Sequence, residues 1–409
     1  MATVRPFKAI RPDREYVSDV AALPYDTMNS EEAAKMAENN ENSYLRIDRA
    51  EIDLPPGTEI DSEKVYEKAA ENLEDFIKRG VFIQDEESHL YIYREIMNGR
   101  EQTGVVGCVS VDESINGKIK KHEHTKPDKV EDRVNHIRYC KANTGTILLT
   151  YHNEEELDRL IERKKIEVPD YDFISDDGVR HTVWVLDKKE TEAVEKAFEK
   201  VDSLYIADGH HRSAAAEMYA EEKRKENPDY TGDEEFNYYL AMIAPKENLY
   251  VMDYNRVVKD LNGMEIEEFI RKIEKDFHVF KEEKQVKPKS KYEYGMYIDG
   301  QWYRIQFKNP DRLQGTINRL DVSVLHDYLI EPILGISVPQ KDPRIDFIGG
   351  IRGIGEIADR ADKDMKIGFS LYPTPIEELM EVADMEGIMP AKSTWFEPKV
   401  RCGLFLHRL

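Results

Sequence analysis

The chain has 409 residues, 40% of them hydrophobic, which is enough for about two or three domains with buried cores. Its 82 acidic residues outnumber 59 basic ones, and a net charge of −23 disfavours nucleic-acid binding through the overall field. The three cysteines have no paired spacing and indicate neither a disulfide framework nor a zinc ribbon. The sequence has no apolar signal core or membrane span, so we expect a soluble cytoplasmic protein.

The N-terminal part mixes helical and strand patterns. Ser30, followed by two glutamates, predicts a helix with Ser30 as its N-cap. The alternation of apolar and polar residues over 43–48 predicts a strand. Apolar residues at helical spacing predict a helix over 61–80. Two apolar runs, 90–96 and 102–111, flank Asn-Gly and predict a β-hairpin.

Residues 120–127 form a cluster of three lysines, two histidines, a glutamate and a threonine. If this segment is extended, His122 and His124 point to one side and Glu123 to the other. Imidazole is a common metal ligand, and it also binds phosphate alongside lysine. Three interpretations remain open, namely a metal pair, a phosphate-binding edge and a solvated basic loop. A helix is predicted from Asp128 to about 141.

The rest of the chain interleaves further helices and strands. An α/β (α+β) fold with mixed sheets and flanking helices is therefore predicted. The predicted parts are 1–115, 116–260 and 261–409. The last part contains a helix over 321–330 capped by Asp321. Other helices are predicted at 154–164, 191–200, 265–276 and 376–384, and other strands at 147–151, 182–186, 236–243, 294–298, 301–307 and 367–371.

The stretch 204–216 carries the strongest chemical signal. Apolar residues 204–207 predict a buried strand, and an alanine-rich helix is predicted from Ser213 to about 225. A strand that turns into a helix presents free N–H groups and a positive dipole end, which together bind anions. Between the two elements lies the sequence Asp208-Gly209-His210-His211-Arg212, which adds a turn glycine, cationic donors and one carboxylate.

Five motifs occur together in an order that is specific to one family. They are Leu23-Pro24-Tyr25-Asp26, His122-Glu123-His124-Thr125 with Glu131-Asp132-Arg133, Ala207 to Arg212, Asp321 to Leu325 with Glu331 to Gly335, and Met389-Pro390 with Pro398-Lys399. On these motifs the whole chain resembles the prokaryotic family described as domain of unknown function 1015. The Asp-Gly-His-His-Arg motif is also similar to that of archaeal free-serine kinases of the ParB/sulfiredoxin-like superfamily, in which this turn holds nucleotide phosphates.

The resemblance implies a kinase that phosphorylates the hydroxyl of free L-serine and yields O-phosphoserine. Pyrophosphate, ATP or ADP would be the donor, and Mg²⁺ the cofactor, with Asp208 as its ligand. Asp26 or Glu123 would take the serine proton. The residues expected to bind phosphate are His122, His124, Arg133, Gly209, His210, His211, Arg212 and Lys392, with Lys399 as a further cation.

Other functions remain open at this stage. A nucleotide- or phosphate-binding regulatory protein of the ParB-like class would use the same turn without catalysis. A metal-dependent hydrolase would use the two histidine clusters. The oligomeric state is also open, and a homodimer is compatible with the sequence. We expect no membrane partner and no nucleic-acid partner.

Overall fold

The computed structural model describes residues 2–409. Its α-helices are α1 (Val17–Val20), α2 (Ser30–Met36), α3 (Leu45–Asp48), α4 (Glu63–Lys78), α5 (Val111–Ile115), α6 (Pro127–Cys140), α7 (Glu155–Lys164), α8 (Lys188–Phe198), α9 (His210–Glu226), α10 (Ile266–Ile273), α11 (Asp321–Leu325), α12 (Gly355–Lys363) and α13 (Ile376–Asp384). A π-helical turn, His326–Ile330, follows α11.

The β-strands are β1 (Val4–Arg5), β2 (Ile10–Pro12), β3 (Phe82–Gln84), β4 (Tyr91–Met97), β5 (Arg100–Ser110), β6 (Ile119–Lys120), β7 (Ala142–Asn143), β8 (Ile147–Tyr151), β9 (Tyr171–Ile174), β10 (Arg180–Val185), β11 (Leu204–Asp208), β12 (Tyr238–Pro245), β13 (Tyr250–Met252), β14 (Tyr254–Val258), β15 (Phe277–Glu282), β16 (Glu293–Ile298), β17 (Gln301–Phe307), β18 (Ile345–Gly349), β19 (Ile367–Ser370), β20 (Trp395–Glu397) and β21 (His407–Arg408). The predicted mixture of helices and strands is confirmed.

The chain divides into two compact units. The first contains the residues up to Lys121, Thr125–Leu249 and Pro398–Leu409. The second contains His122–His124 and Tyr250–Glu397. The division into three parts at 115 and 260 stays a prediction. None of the helices among residues 2–409 is both long and apolar enough to cross a membrane.

The first unit is built on a mixed sheet with the order β6-β11-β8-β12-β5-β4-β10-β9, in which β1 also pairs with β5. Strands β11 and β6 are parallel, as are β12 and β8, and the other pairs are antiparallel. The hairpin of β4 and β5 turns at Asn98 and Gly99, whose φ angles are 51° and 78°. Two consecutive left-handed residues are what a type I′ turn requires, so the predicted hairpin is confirmed.

Both faces of this sheet are covered in its centre. All residues of β8 are buried, as are nearly all of β12, and both strands have long apolar runs. Such runs are typical of strands that have no solvent-facing side. Helices α7, α8 and α9 contribute Leu157, Phe198 and Ala216 to the same core. The sheet therefore gives β11 and the start of α9 a rigid support.

Two predictions for the N-terminal segment were wrong. Residues 45–48 form helix α3 instead of a strand, because Leu45 and Ile47 join a core with residues of α4. Six alternating residues are too few to distinguish the strand period of two residues from the helical period of 3.6 when tertiary packing favours a helix. The N-cap of α2 is Asn29, whose side chain and Glu32 form a capping box. Ser30 instead donates a hydrogen bond to Glu51 over 2.8 Å.

The second unit has an antiparallel sheet with the order β15-β17-β16-β19-β14-β18. The strands and helices predicted here are present, but Asp321 is not a helix cap. Leu320 holds that position, and the Asp321 carboxylate accepts a hydrogen bond from the N–H of Tyr292 over 2.6 Å. The predicted continuous helix also changes to π geometry at His326.

A buried polar network in the first unit centres on His181, which is fully shielded from solvent. Its Nδ1 lies 2.8 Å from the Tyr93 hydroxyl, and its Nε2 lies 2.9 Å from the Ser175 hydroxyl. Burial, followed by the charge of Arg401, lowers the pKa of His181 to about 3. The folded protein therefore holds this imidazole neutral at pH values where an exposed histidine is charged.

The buried, neutral His181 predicts that acid destabilises the folded protein. The unfolded chain protonates His181 near pH 6.5, whereas the folded chain does so only near pH 3, so the free energy of unfolding should decrease as pH falls between these values. His181→Gln removes the titration, and we expect a flatter pH dependence in urea unfolding at pH 7 and pH 5. The exposed His278 provides the control variant His278→Gln. Equal slopes for wild type and His181→Gln would contradict this account.

Candidate phosphate-binding site

The predicted anion-binding turn is formed in the first unit. Strand β11 ends at Asp208, Gly209 has a φ of 101°, and helix α9 begins at His210. The helix thus starts three residues before the predicted Ser213, because Gly209 takes the left-handed N-cap conformation. Its first turn has no acidic residue, and Gly209 at the N-cap position has no side chain that could accept hydrogen bonds from the turn. The N–H groups and dipole of this turn favour an anionic ligand.

Arg212 lies in this first turn, and its side chain is only 9% exposed. Its Nη1 donates a hydrogen bond to the carbonyl oxygen of Thr146, and its Nη2 lies 3.6 Å from the Asp208 carboxylate. Burial lowers the pKa of the guanidinium, but the carboxylates of Asp26 and Asp208 outweigh this effect and raise it. Arg212 is therefore a permanent, nearly buried cation at the start of α9.

Two glycines make room for this guanidinium. A Cβ atom on Gly209 would lie 3.1 Å from Arg212 Nη2, and a Cβ atom on Gly145 would lie 3.0 Å from Arg212 Cδ. Gly209 is thus required both by its positive φ and by the proximity of the guanidinium.

A second cation approaches Asp208 from the C-terminal segment of the chain. Lys399 Nζ lies 3.6 Å from Asp208 Oδ2, and its side chain is 10% exposed. Asp208 itself is 32% exposed and lies between Lys399 and Arg212. At 3.6 Å these are ion pairs rather than hydrogen bonds. The carboxylate has the donor chemistry that Mg²⁺ prefers together with phosphate oxygens.

His211 connects this helix to the start of α6. Its Nε2 accepts a hydrogen bond from the backbone N–H of Lys126 over 3.1 Å. A neutral imidazole that accepts at Nε2 carries its proton on Nδ1. His210 is buried, whereas His211 is half-buried. The two histidines therefore have different surroundings.

Arg133, predicted to bind phosphate, is buried and paired with two carboxylates. Its Nη1 donates to Asp48 over 3.2 Å, and its Nη2 lies 2.9 Å from Asp132. The guanidinium carbon also lies 3.9 Å from the centre of the Tyr25 ring. A phosphate at Arg133 would have to compete with both carboxylates, and the phosphate-binding role of this residue stays a prediction.

His136 continues the group of buried polar residues around Arg133 towards the loop after β7. Its Nε2 lies 3.0 Å from the carbonyl oxygen of Ile47 and therefore donates, so its Nδ1 accepts from the Thr144 hydroxyl at 3.2 Å. Burial, followed by the charge of Arg133, lowers the pKa of His136. The imidazole is neutral at pH 7.

The first unit brings together one set of the predicted residues, namely Asp26, Arg133, Asp208, Gly209, His210, His211 and Arg212. The second unit contains the others, namely His122, Glu123, His124 and Lys392.

Within the second unit, His122 is buried and His124 is exposed, and the chain bends at Glu123. The extended geometry that would place both imidazoles on one side is therefore absent from this segment. The Lys392 ammonium lies 5.6 Å from the centre of the Tyr254 ring. Roles for these four residues in the site stay predictions.

The polar wall around Arg133 has no clear signal in the sequence. Asp48 lies in a segment whose alternation predicts a strand, and Tyr25 is one residue of a motif. His136 and Thr144 have other polar residues close by in the sequence and do not stand out from them. The burial of charged residues on a short helix becomes visible only once α3 is known to be helical.

The family is established by comparison with family models. The model "Protein of unknown function (DUF1015)" matches residues 4–323, and the chain belongs to this family. This confirms the resemblance inferred from the five motifs. No curated protein matches the chain.

Several solved structures show weak similarity. A free serine kinase in complex with AMP has 15% identity and a TM-score of 0.35, and covers 71% of this chain and 86% of its own. A truncated SbnI from Staphylococcus aureus has 10% identity, a TM-score of 0.38 and coverages of 73% and 84%. A conserved hypothetical protein from Pyrococcus furiosus has 14% identity, a TM-score of 0.34 and coverages of 71% and 90%. At these scores the likeness supports no conclusion about function.

The geometry of the turn leads to a direct test. Gly209→Ala should weaken pyrophosphate binding at least ~10-fold in calorimetry, because the new Cβ displaces the Arg212 guanidinium, in addition to a backbone cost of about 1–2 kcal/mol. Gly232 has a φ of 99°, and a Cβ atom added there would meet no heavy atom within 4 Å, so Gly232→Ala has the backbone cost alone. We expect similar losses of stability in both variants. Equal pyrophosphate binding in both would show that the turn is not the anion site.

Proposed function

We propose that this protein is a phosphotransferase that moves a phosphoryl group from pyrophosphate or a nucleotide to the hydroxyl of free L-serine. The observation that carries the proposal is the start of α9, which has a glycine as its N-cap and where two cations, Arg212 and Lys399, flank the Asp208 carboxylate. Such a site binds and neutralises the phosphate oxygens of a donor. Serine as the acceptor comes from the resemblance of the Asp-Gly-His-His-Arg motif to that of free-serine kinases.

The donor phosphates would lie against the N–H groups of the first turn of α9. Phosphoryl transfer depends on charge neutralisation and on alignment of the attacking and leaving oxygens. Arg212 is already held in place by Thr146 and Asp208, so its guanidinium does not have to move when the donor binds. Lys399 supplies a second charge at the same carboxylate.

The residues also fit a divalent cation. Asp208 offers a partly exposed carboxylate beside the anion-binding turn, and Mg²⁺ is typically held by one or two carboxylates and by substrate phosphates. When bound, Mg²⁺ would neutralise charge on the donor phosphates. We include Mg²⁺ as the cofactor in the proposal.

In the proposed reaction the serine Oγ attacks the terminal phosphorus of the donor. The new bond joins Oγ to phosphorus, the bond from phosphorus to the bridging oxygen breaks, and phosphate or the shortened nucleotide leaves. The serine proton passes to a carboxylate. Asp26 fits this role, since it is exposed and lies close enough to Arg212 to raise the pKa of the guanidinium. Glu123 remains the alternative base.

Phosphorus NMR tests the reaction and the donor together. Protein would be incubated with L-serine and Mg²⁺, and with pyrophosphate, ATP or ADP in separate tubes. An O-phosphoserine signal in at least one tube is expected. If phosphate binds but no phosphoserine forms in any tube, the chain is a phosphate- or nucleotide-binding regulatory protein and the kinase proposal is wrong.

Substitutions in the turn assign the activity to this site. Arg212→Lys should lower kcat/KM by roughly 100-fold, because a lysine cannot replace the fork that is held by Thr146 and Asp208. Asp208→Asn should lower it to a similar extent and weaken the dependence on Mg²⁺. Lys225→Gln removes an exposed cation from the far end of α9 and is the matched control. Full activity in both site variants would exclude this turn as the catalytic site.

A further inference from the structure

Two adjoining cavities in the first unit share one wall. Arg212 lines the first cavity, and residues of α3, α4 and α6 and their flanking segments line the second. Both are lined by Tyr25, Asp48, Arg133 and His136. The second cavity plays no part in the phosphate site described above. Its chemistry differs from that of the first.

Asp48 in the shared wall has an unsatisfied oxygen. Its side chain is 3% exposed, and Oδ1 accepts a hydrogen bond from Arg133 over 3.2 Å. Its Oδ2 has no hydrogen-bond partner among residues 2–409. The nearby Cys402 thiol has its pKa raised by burial and by Asp48 and is a weak donor. A buried carboxylate oxygen without a partner is costly, and a ligand with a strong donor removes that cost.

The next residue in the chain, Arg49, has the complementary feature. Its Nε is buried and lies 3.0 Å from Glu51 in an ion pair, but the alignment does not make a hydrogen bond. Both Asp48 and Arg49 line the second cavity. A negatively charged hydrogen-bond acceptor and a positively charged hydrogen-bond donor therefore lie on consecutive residues. An α-amino acid carries the complementary pair, an ammonium and a carboxylate, on one carbon atom.

The overall charge of this cavity favours the ammonium group. Five carboxylates and three cations line it, and His136 is neutral. The phosphate site is different, since two cations flank Asp208 there. A zwitterionic acceptor in the second cavity and a phosphate donor at the start of α9 would thus be separated by charge.

We propose that the second cavity binds the acceptor as a free amino acid, with its ammonium on Asp48 and its carboxylate on Arg49. This role as acceptor site rests on the phosphotransferase function proposed above. Because both unsatisfied atoms are shielded from solvent, this binding mode requires the side chains of Asp48 and Arg49 to rotate. The side-chain hydroxyl of the ligand would extend past the shared wall towards Arg212.

Calorimetry with three matched ligands tests the recognition without catalysis. L-Serine carries both charged groups, ethanolamine lacks the carboxylate, and 3-hydroxypropanoate lacks the ammonium. We expect L-serine to bind and each of the other two to bind at least ~10-fold more weakly, as the loss of one charged hydrogen bond implies. Undetectable binding of L-serine, or equal binding of ethanolamine, would overturn the proposal.

Variants locate the binding to this cavity. Asp48→Asn should weaken L-serine binding at least ~10-fold and leave pyrophosphate binding unchanged, which also shows that the variant is folded. Should Asp48→Asn unfold, Asp61→Asn removes an exposed carboxylate from the same cavity and should weaken L-serine binding in the same direction. Glu67→Gln, an exposed change of the same charge on α4, is the control and should bind like the wild type. Unchanged L-serine binding in the cavity variants would overturn the proposal.

A failure of the amino-acid site and a failure of the kinase proposal give different results. L-Serine binding that depends on Asp48, without any phosphoserine formation, would support the amino-acid site and reject phosphoryl transfer. Phosphoserine formation with an unchanged KM for serine in Asp48→Asn would support transfer and reject this site.

Discussion

The arrangement of the first unit depends on one buried cation. The Arg212 guanidinium is held by the carbonyl of Thr146 and by the charge of Asp208, and two glycines make room for it. A cation that is almost removed from water is retained only where carboxylates and hydrogen bonds compensate its desolvation. The mixed sheet beneath β11 fixes this geometry, since its central strands are buried on both faces.

The net charge of the whole chain and the two cations at the start of α9 have opposite signs. A net charge of −23 would repel a polyanion at long range. At the start of α9, however, Arg212, Lys399 and the helix dipole act over a few ångströms, where screening by water is weaker. The local charge at this turn is therefore not set by the net charge of the chain.

Much of the fold could be predicted because its signals are local. The Asn98-Gly99 turn, the amphipathic α4 and the glycine turn before α9 each depend on a few neighbouring residues. The helical state of residues 45–48 could not be predicted, because it depends on packing against α4. The Asn29 cap could not be predicted either, because Asn29 and Ser30 are adjacent and both are good N-cap residues. Short segments are decided by their tertiary contacts.

The candidate site could be predicted only in part, for a related reason. The sequence Asp208 to Arg212 showed its chemistry directly, since its residues are consecutive. Arg133 was also predicted as a site residue, but its ion pair with Asp48 is a long-range contact that no local pattern shows. Partners of a buried charge that lie far away in the chain follow from the fold.

The central claim is that donor phosphate binds at the start of α9. A crystal structure of the full chain with pyrophosphate and Mg²⁺ tests it most directly. The account predicts phosphate oxygens within hydrogen-bond distance of the N–H groups of the first helical turn and of Arg212. Pyrophosphate bound elsewhere, with the first turn of α9 in contact only with water, would contradict it.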